Sequence, residues 1–302
     1  MKGMQILIAG ASGFLGGRLV PHLRAAGHQV TRLVRRPVRD PGELRWDPAA
    51  GLLDASALAG KDAVINLAGA GVGDRRWTEQ YKRTLHTSRV DTTGTLAKAI
   101  AAAGPDRPKV LLNSSAVGFY GDTGDRAVDE QSPAGEGFLA DLCQVWEAAT
   151  RPAEDAGTRV ALLRTGLPLA RDGGLLKPLY LQFKLFAGGR MGSGRQYLPW
   201  MSLPDWLNAV EFVLQRDLAG PVNLTGPEPV TNAEFSAALA KVLHRPNLLP
   251  VPGFALKAAA GEFGGEALAS QRVLPGVLVR EGFPFAHRTV EAALQQAVSA
   301  TT

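Results

Sequence analysis

The chain has one cysteine, Cys143, among 302 residues. A lone thiol excludes an internal disulfide framework and fits a reducing compartment, so a cytoplasmic location is expected. Long apolar runs are also missing: no stretch is long enough to span a bilayer, and no membrane partner is expected. Met1 to Gln5 run straight into the first apolar segment, so no signal peptide is expected. Excess charge of one sign is scarce, since 33 Lys and Arg against 28 Asp and Glu leave +5 with no basic block. Nucleic acid is therefore not an expected partner. The five histidines, His22, His28, His86, His244 and His287, are scattered, and none has Cys or carboxylates at ligand spacing, so no metal site is expected.

What is present is a globular composition, 45% hydrophobic and 20% charged. The length suits one large α/β unit or a core with a smaller cap. Ile6, Leu7, Ile8 and Ala9 form the short apolar run of a buried parallel strand. Gly10, Gly13 and Gly16 follow, and then Leu15, Leu19 and Leu23 recur at helical spacing. Glycines where a strand hands over to a helix make a phosphate-binding turn. Gly10 permits the tight turn, Gly13 lets backbone approach a pyrophosphate, and Gly16 lets helix and sheet pack closely. Around them Ser12, Phe14 and Leu15 open the helix, whose first N–H groups and partial positive charge suit an anion. A dinucleotide is the expected ligand, and a plain βα turn is the bland alternative.

The spacing predicts further strands at Val30–Val34, Leu44–Trp46, Ala63–Asn66, Val110–Asn113 and Arg159–Arg164. Helices are expected over Trp77–Ala103 and Leu139–Ala149. Strands alternating with helices mean an α/β fold with a doubly wound parallel sheet. After about Thr165 the alternation fades into a glycine-dense stretch, Gly173 to Gly194, where a substrate pocket and a mobile lid could be built. Pro204 starts a helix, Val222–Leu224 is a short strand, and Thr231-Asn-Ala-Glu234 is a capping box opening a helix through Leu243. Helical pieces follow near Phe254–Glu262 and Thr289–Val298.

Arg35 and Arg36 follow the second strand, where an NAD-binding unit would carry an acid for the ribose. Two guanidiniums suit a 2′-phosphate, so NADP(H) is the expected cofactor, with solvated surface charge as the alternative. Small residues at Leu67, Ala68 and Gly69 allow a cofactor close to the strand end, or make a second structural turn. Ser114 and Ser115 either hydrogen-bond a substrate carbonyl or nicotinamide amide, or cap a strand. Lys82 and Arg89 on the long helix are expected on a solvated face, with a pocket anion as the alternative; Lys177 and Arg195 in the substrate region either bind a phosphate or carboxylate or are flexible surface positions.

Gly10-Ala-Ser-Gly-Phe-Leu-Gly16, Asn66-Leu-Ala-Gly69, Ser114-Ser-Ala-Val-Gly-Phe-Tyr-Gly-Asp122 and Leu163-Arg-Thr-Gly166 resemble the extended short-chain dehydrogenases/reductases, the NAD(P)-dependent epimerase/dehydratase superfamily. Arg76-Trp77-Thr78, Ser88-Arg89, Trp146-Glu147, Gly192-Ser-Gly-Arg-Gln196 and His244-Arg-Pro246 are similar to its atypical epimerase-like branch. That branch carries a small C-terminal domain of unknown function, which residues from about 248 resemble. The resemblance implies a Rossmann-type NADP(H)-binding core over 1–165, with elements returning from about 200–230. It implies a smaller mixed α/β substrate and C-terminal region over 166–302. The parent family works with Ser, Tyr and Lys, the last two as Tyr-x-x-x-Lys. Ser115 matches the Ser, but the Tyr and Lys positions fall on Leu139 and Cys143, which cannot do that acid–base work. The position of an assisting Asn falls on Asp91, and Ser202 stands where the branch more often has His.

Tyr120 is the candidate replacement, as a proton donor beside Ser115 or as a residue that merely packs there. Two hypotheses stand. One is an NADP(H)-dependent reductase or epimerase on a small or nucleotide-linked substrate, a monomer or homodimer, with Ser115 and Tyr120 near the reacting carbon. The other is a non-catalytic NADP(H)-binding sensor or scaffold.

Overall fold

Ile6, Leu7, Ile8 and Ala9 are all fully buried, as a strand covered on both faces requires. The computed structural model describes residues 3–266 and 268–300. They begin with β1 (Gln5–Ala9), α1 (Phe14–Ala25), β2 (Gln29–Val34), β3 (Glu43–Arg45), β4 (Ala63–Asn66) and α2 (Glu79–Ala102). Next come β5 (Val110–Ala116), α3 (Phe138–Ala148), α4 (Arg151–Asp155) and β6 (Arg159–Thr165). Outside the main sheet lie β7 (Leu167–Leu169), α5 (Leu176–Lys184), β8 (Tyr197–Leu198) and β9 (Trp200–Ser202). The chain then returns through α6 (Leu203–Gln215) and β10 (Gly220–Leu224). It finishes with β11 (Val230–Thr231), α7 (Asn232–Leu243), α8 (Gly253–Ala260), α9 (Glu262–Glu266), α10 (Gly276–Arg280) and α11 (Val290–Ser299).

The main sheet runs β10-β6-β5-β4-β1-β2-β3, and its pairings are all parallel. The strand order reverses at β1, which pairs with β2 on one side and β4 on the other. Such a switch point opens a crevice beyond the strand C-termini. Alternate residues of β1 feed opposite layers. Ile6 and Ile8 pack with Leu19 and Leu23 of α1 and Trp206 and Val210 of α6. Leu7 and Ala9 pack with Leu96 and Ile100 of α2. Each of the leucine, isoleucine and valine side chains, fully buried, contributes on the order of 1.5–3 kcal/mol.

The fold departs from the sequence reading at element ends. Trp77 does not join α2; Thr78 caps it, accepting from the Tyr81 amide at 3.2 Å. Ser114 and Ser115 continue β5 rather than end it. The helix expected near Phe254–Glu262 breaks into α8 and α9 at Gly261, where φ is +64°.

A second core, built by α5, α7, α11 and the strands β7 to β9, includes Phe183, Trp200, Phe235 and Leu294. The tail then returns to the sheet. Thr123 N–H donates to Ser270 C=O (2.7 Å), and Val128 N–H to Arg272 C=O (3.0 Å). The Glu130 carboxylate accepts from the amides of Asn223 (2.9 Å) and Val277 (3.2 Å), tying β10 to α10. Further on, Phe263 lies 5.7 Å from the Trp77 ring, and Glu262 pairs with Lys82. The last part of the chain thereby straps the loop after β4. No described helix is long and apolar enough to cross a membrane.

The Thr231 hydroxyl accepts from the Glu234 amide and Glu234 reaches back to Thr231 N–H, the expected capping box of α7. Thr231→Ala removes half of that box and should cost about 1 kcal/mol, read as a lower urea midpoint at unchanged slope.

Candidate functional site

The crevice at the switch point begins with Gly10, where φ is +80°. A Cβ at Gly10 would stand 2.5 Å from the Leu67 carbonyl carbon, and one at Gly16 would stand 2.2 Å from the Gly10 oxygen. Both positions need glycine because two backbones touch there. Gly13 N–H donates to Gly10 C=O (3.1 Å), and a Cβ on Gly13 would meet nothing closer than that oxygen at 3.4 Å. Helix α1 starts after Gly13 with no side-chain cap and no acid in its first turn. Its first amides are left for an outside acceptor.

A cavity of about 670 Å³ runs along this edge. Gly10, Ser12, Gly13, Arg35, Arg36, Leu67, Ala68 and Gly69 line it together, with Asp91 of α2 among them. Phe14, Leu15, Gly16 and Ser114 are not in the lining. The Phe14 ring presses on Gly173, where a Cβ would come within 2.2 Å, and Leu15 packs against the core. Lys177 and Arg195 are exposed and do not line this cavity.

Electrostatics at the two arginines differ. Arg36 grips Glu43 with both terminal nitrogens, at 2.8 and 2.6 Å. The Glu43 carboxyl is held down to about 2 by that Arg36 hydrogen bond and then by the Arg39 amide. Arg32 adds a second cation at 3.1 Å. Arg35 is exposed and makes no side-chain bond or ion pair among the described residues. Sequence reasoning found no acid at the end of the second strand; the fold supplies one from β3, because Arg32 of β2 and Glu43 are paired in register.

Beyond the glycine turn, Asn66 Nδ2 donates to Thr93 Oγ1 (2.9 Å) and Asn113 Oδ1 (2.8 Å), while Trp146 Nε1 donates to Thr93 Oγ1 (3.0 Å). Asn66 Oδ1 also accepts from Ala68 N–H (3.1 Å), which sets the 67–69 loop. Nothing in the sequence marked Thr93.

Ser115 and Tyr120 lie elsewhere. Ser115 of β5, Arg164 of β6 and Asn223 of β10 are register partners across three strands. Ser115 Oγ donates to Glu147 Oε1 (2.5 Å), and Arg164 holds both Glu147 oxygens at 2.8 and 2.9 Å. The Tyr120 hydroxyl donates to Asn223 Oδ1 (2.8 Å) and accepts from Arg164 (2.9 Å). Tyr120 is 1% exposed and does not line the cavity; burial pushes its pKa up, against the pull of Arg164. Leu139 and Cys143 face the turn after β5: a Cβ on Gly118 would meet the Leu139 Cβ at 3.2 Å, and Cys143 Sγ points to Ala116 C=O at 3.6 Å. Burial first, and Glu147 second, push the Cys143 thiol to about 11. An imidazole does come to Ser202, but from the tail: His287 Nδ1 lies 3.0 Å from Ser202 Oγ, which also caps α6.

A doubly wound sheet whose glycine turn and uncapped helix face a cavity at the switch point defines a Rossmann-type dinucleotide-binding protein. The chain belongs to the NAD dependent epimerase/dehydratase family, whose profile matches residues 6–224. Residues 251–297 match a domain of unknown function, DUF1731. The chain is 48% identical over 301 residues to "Epimerase family protein MT2273" of Mycobacterium tuberculosis, covering 99% of each. It is 35% identical to human "Epimerase family protein SDR39U1", covering 98% of this chain and all of that one. A crystal structure of that human protein, isoform 2, with NADPH superposes with a TM-score of 0.89 at 33% identity, over 98% of this chain and 100% of the other. At 19% identity and a TM-score of 0.75, MoeE5 in complex with UDP-glucuronic acid and NAD shares the fold, over 97% of this chain and 98% of its own.

The Glu43 carboxyl titrates near 2, below the ordinary glutamate value of about 4.3. Its pairing therefore adds stability above roughly pH 4.3, lost as pH falls through 2. A carboxyl-carbon NMR titration should place its midpoint near 2, and Glu43→Gln should flatten the stability curve over that window.

Proposed function

We propose that the chain is an NADP(H)-dependent oxidoreductase or epimerase-like enzyme acting on a small carbonyl or nucleotide-linked substrate. The observation that carries this reading is the single cavity running from Arg35 past Gly10–Gly13 to Gly69. Its glycine cradle, which a Cβ would fill at Gly10 and Gly16, fits a pyrophosphate. In this reading Gly10, Ser12 and Gly13, with the amides of Phe14, Leu15 and Gly16, take the pyrophosphate. Arg35 takes the 2′-phosphate, and Arg36, held by its bidentate pair with Glu43, presents its guanidinium edge beside it. Leu67, Ala68 and Gly69 form the opposite wall, and Ser114 and Ser115 lie within β5 just before its end at Ala116. The NADPH in the human relative supports this choice of cofactor. When bound, the nicotinamide supplies a hydride or accepts one. Ser115 and Tyr120 are the candidate proton-handling pair, linked through Glu147 and Arg164.

That same network favours a second reading. The Tyr120 hydroxyl is bonded on both sides and closed off from the cavity, and neither Leu139 nor the high-pKa Cys143 offers a proton group at neutral pH. A protein so built would bind NADP(H) as a sensor or scaffold without turnover.

Calorimetry separates the parts of this proposal. NADPH should bind about tenfold or more tightly than NADH, and Arg35→Ala should remove most of that preference. Equal affinity for the two cofactors would sink the 2′-phosphate assignment. In a screen of carbonyl substrates, NADPH oxidation slowed by Tyr120→Phe supports the enzyme; tight binding with no oxidation of any substrate supports the sensor.

A further inference from the structure

Two arginines are buried beside the candidate site, and they are held differently. Arg164, 4% exposed, is neutralised by Glu147. Arg89 of α2 is 9% exposed, and no carboxylate pairs with it among the described residues. The sequence favoured a solvated helix face over a pocket-facing position for it; the fold turns it inward. Its guanidinium donates to the carbonyls of Leu85 (3.0 Å) and Ala70 (2.9 Å) and lies 5.0 Å from the Trp146 ring. Backbone dipoles and a π face fix the charge without cancelling it. A guanidinium stays protonated there even though burial opposes its charge.

Its place in the sheet gives the charge a task. Arg35 and Trp46 lie at the β2–β3 end of the cavity, the Gly10–Gly13 turn in the middle, and Gly69 and Ala70 at the β4 end. A dinucleotide with its 2′-phosphate on Arg35 and its pyrophosphate on the turn has the β4–β5 end left for the nicotinamide. Arg89 stands under that end. A Cβ at Gly69 would lie 3.5 Å from the guanidinium carbon, so only a glycine separates the charge from the cavity. Cys143 lies within electrostatic reach of the same guanidinium, and its sulfur points to Ala116 C=O at the end of β5.

We propose that Arg89 sets which oxidation state of the dinucleotide this protein holds. The oxidised nicotinamide ring is a cation and the reduced ring is neutral. A fixed, desolvated positive charge close to the ring repels the first and not the second. The protein then holds NADPH in preference to NADP⁺, which suits a reductase that must release its oxidised cofactor and equally a sensor of the reduced pool. The inference rests on the NADP(H) reading of the cavity.

The test is equilibrium binding of NADPH and of NADP⁺ to the full chain, with no substrate present. The wild-type protein should favour NADPH by roughly tenfold or more. Arg89→Gln and Arg89→Met should shrink that ratio towards unity, and Arg89→Lys should keep most of it. In the wild-type protein the ratio should hold as salt is raised, because a buried charge is little screened. Equal wild-type affinities, a preference that fades with salt, or neutral variants with the wild-type ratio would each overturn the assignment. The wild-type measurements can still overturn it if the neutral variants do not fold. Binding of both nucleotides without preference removes only the role of Arg89; binding of neither removes the NADP(H) reading and this inference with it.

Discussion

The contact on which the rest depends is the one between two backbones at Gly10. Its Cα lies so close to Leu67 and Ala68 that a methyl group would overlap both. That approach lets the chain leave β1 in a left-handed turn, run under the β4 loop and start α1 at once. Gly16 repeats the device one turn later, where the helix presses back on the Gly10 oxygen. Because no side chain intrudes and none caps the helix, the α1 amides stay available at the switch point. The cavity is thus bounded by main chain where an anion would sit, while α2 and the β2–β3 end contribute side chains to its other walls.

Charge is distributed along the cavity with the same economy. At one end Glu43 takes up Arg36 and leaves Arg35 exposed. Beyond the other end, outside the cavity lining, Glu147 takes up Arg164, and Arg89 has no acid among the described residues. Removing either partner of the buried Arg164–Glu147 pair would strand a charge, at a cost of roughly 3–5 kcal/mol. This pair holds β6 to α3 and, through Tyr120 and Asn223, to β10. It is first a structural bracket, and any chemistry at Ser115 must draw on the same carboxylate.

The last fifty or so residues close the molecule back on itself. They pair with the loop after β5 through Ser270 and Arg272, pin β10 through Glu130, and pack Phe263 at a tilt against Trp77 across the loop after β4. These contacts join both arms that flank the β4–β5 end of the cavity, which gives the tail a place in the site's architecture even though its residues do not line the main cavity.

Much of this was determined by sequence alone, and the reason is locality. The run at Ile6–Ala9, the glycine spacing, the α7 capping box and the alternation of strands and helices all act between residues a few positions apart. They sufficed for the parallel sheet, the dinucleotide turn and the line formed by Gly10, Arg35 and Gly69. The tertiary structure decided what depends on strands meeting at long range. Register brought Glu43 to Arg36 and set Ser115, Arg164 and Asn223 side by side, which buried Tyr120 in a bonded network. The packing of α2 on α3 turned Arg89 from a solvent charge into a buried one. A sequence shows that a residue is charged; whether that charge is cancelled, screened or left bare follows from neighbours that only folding supplies.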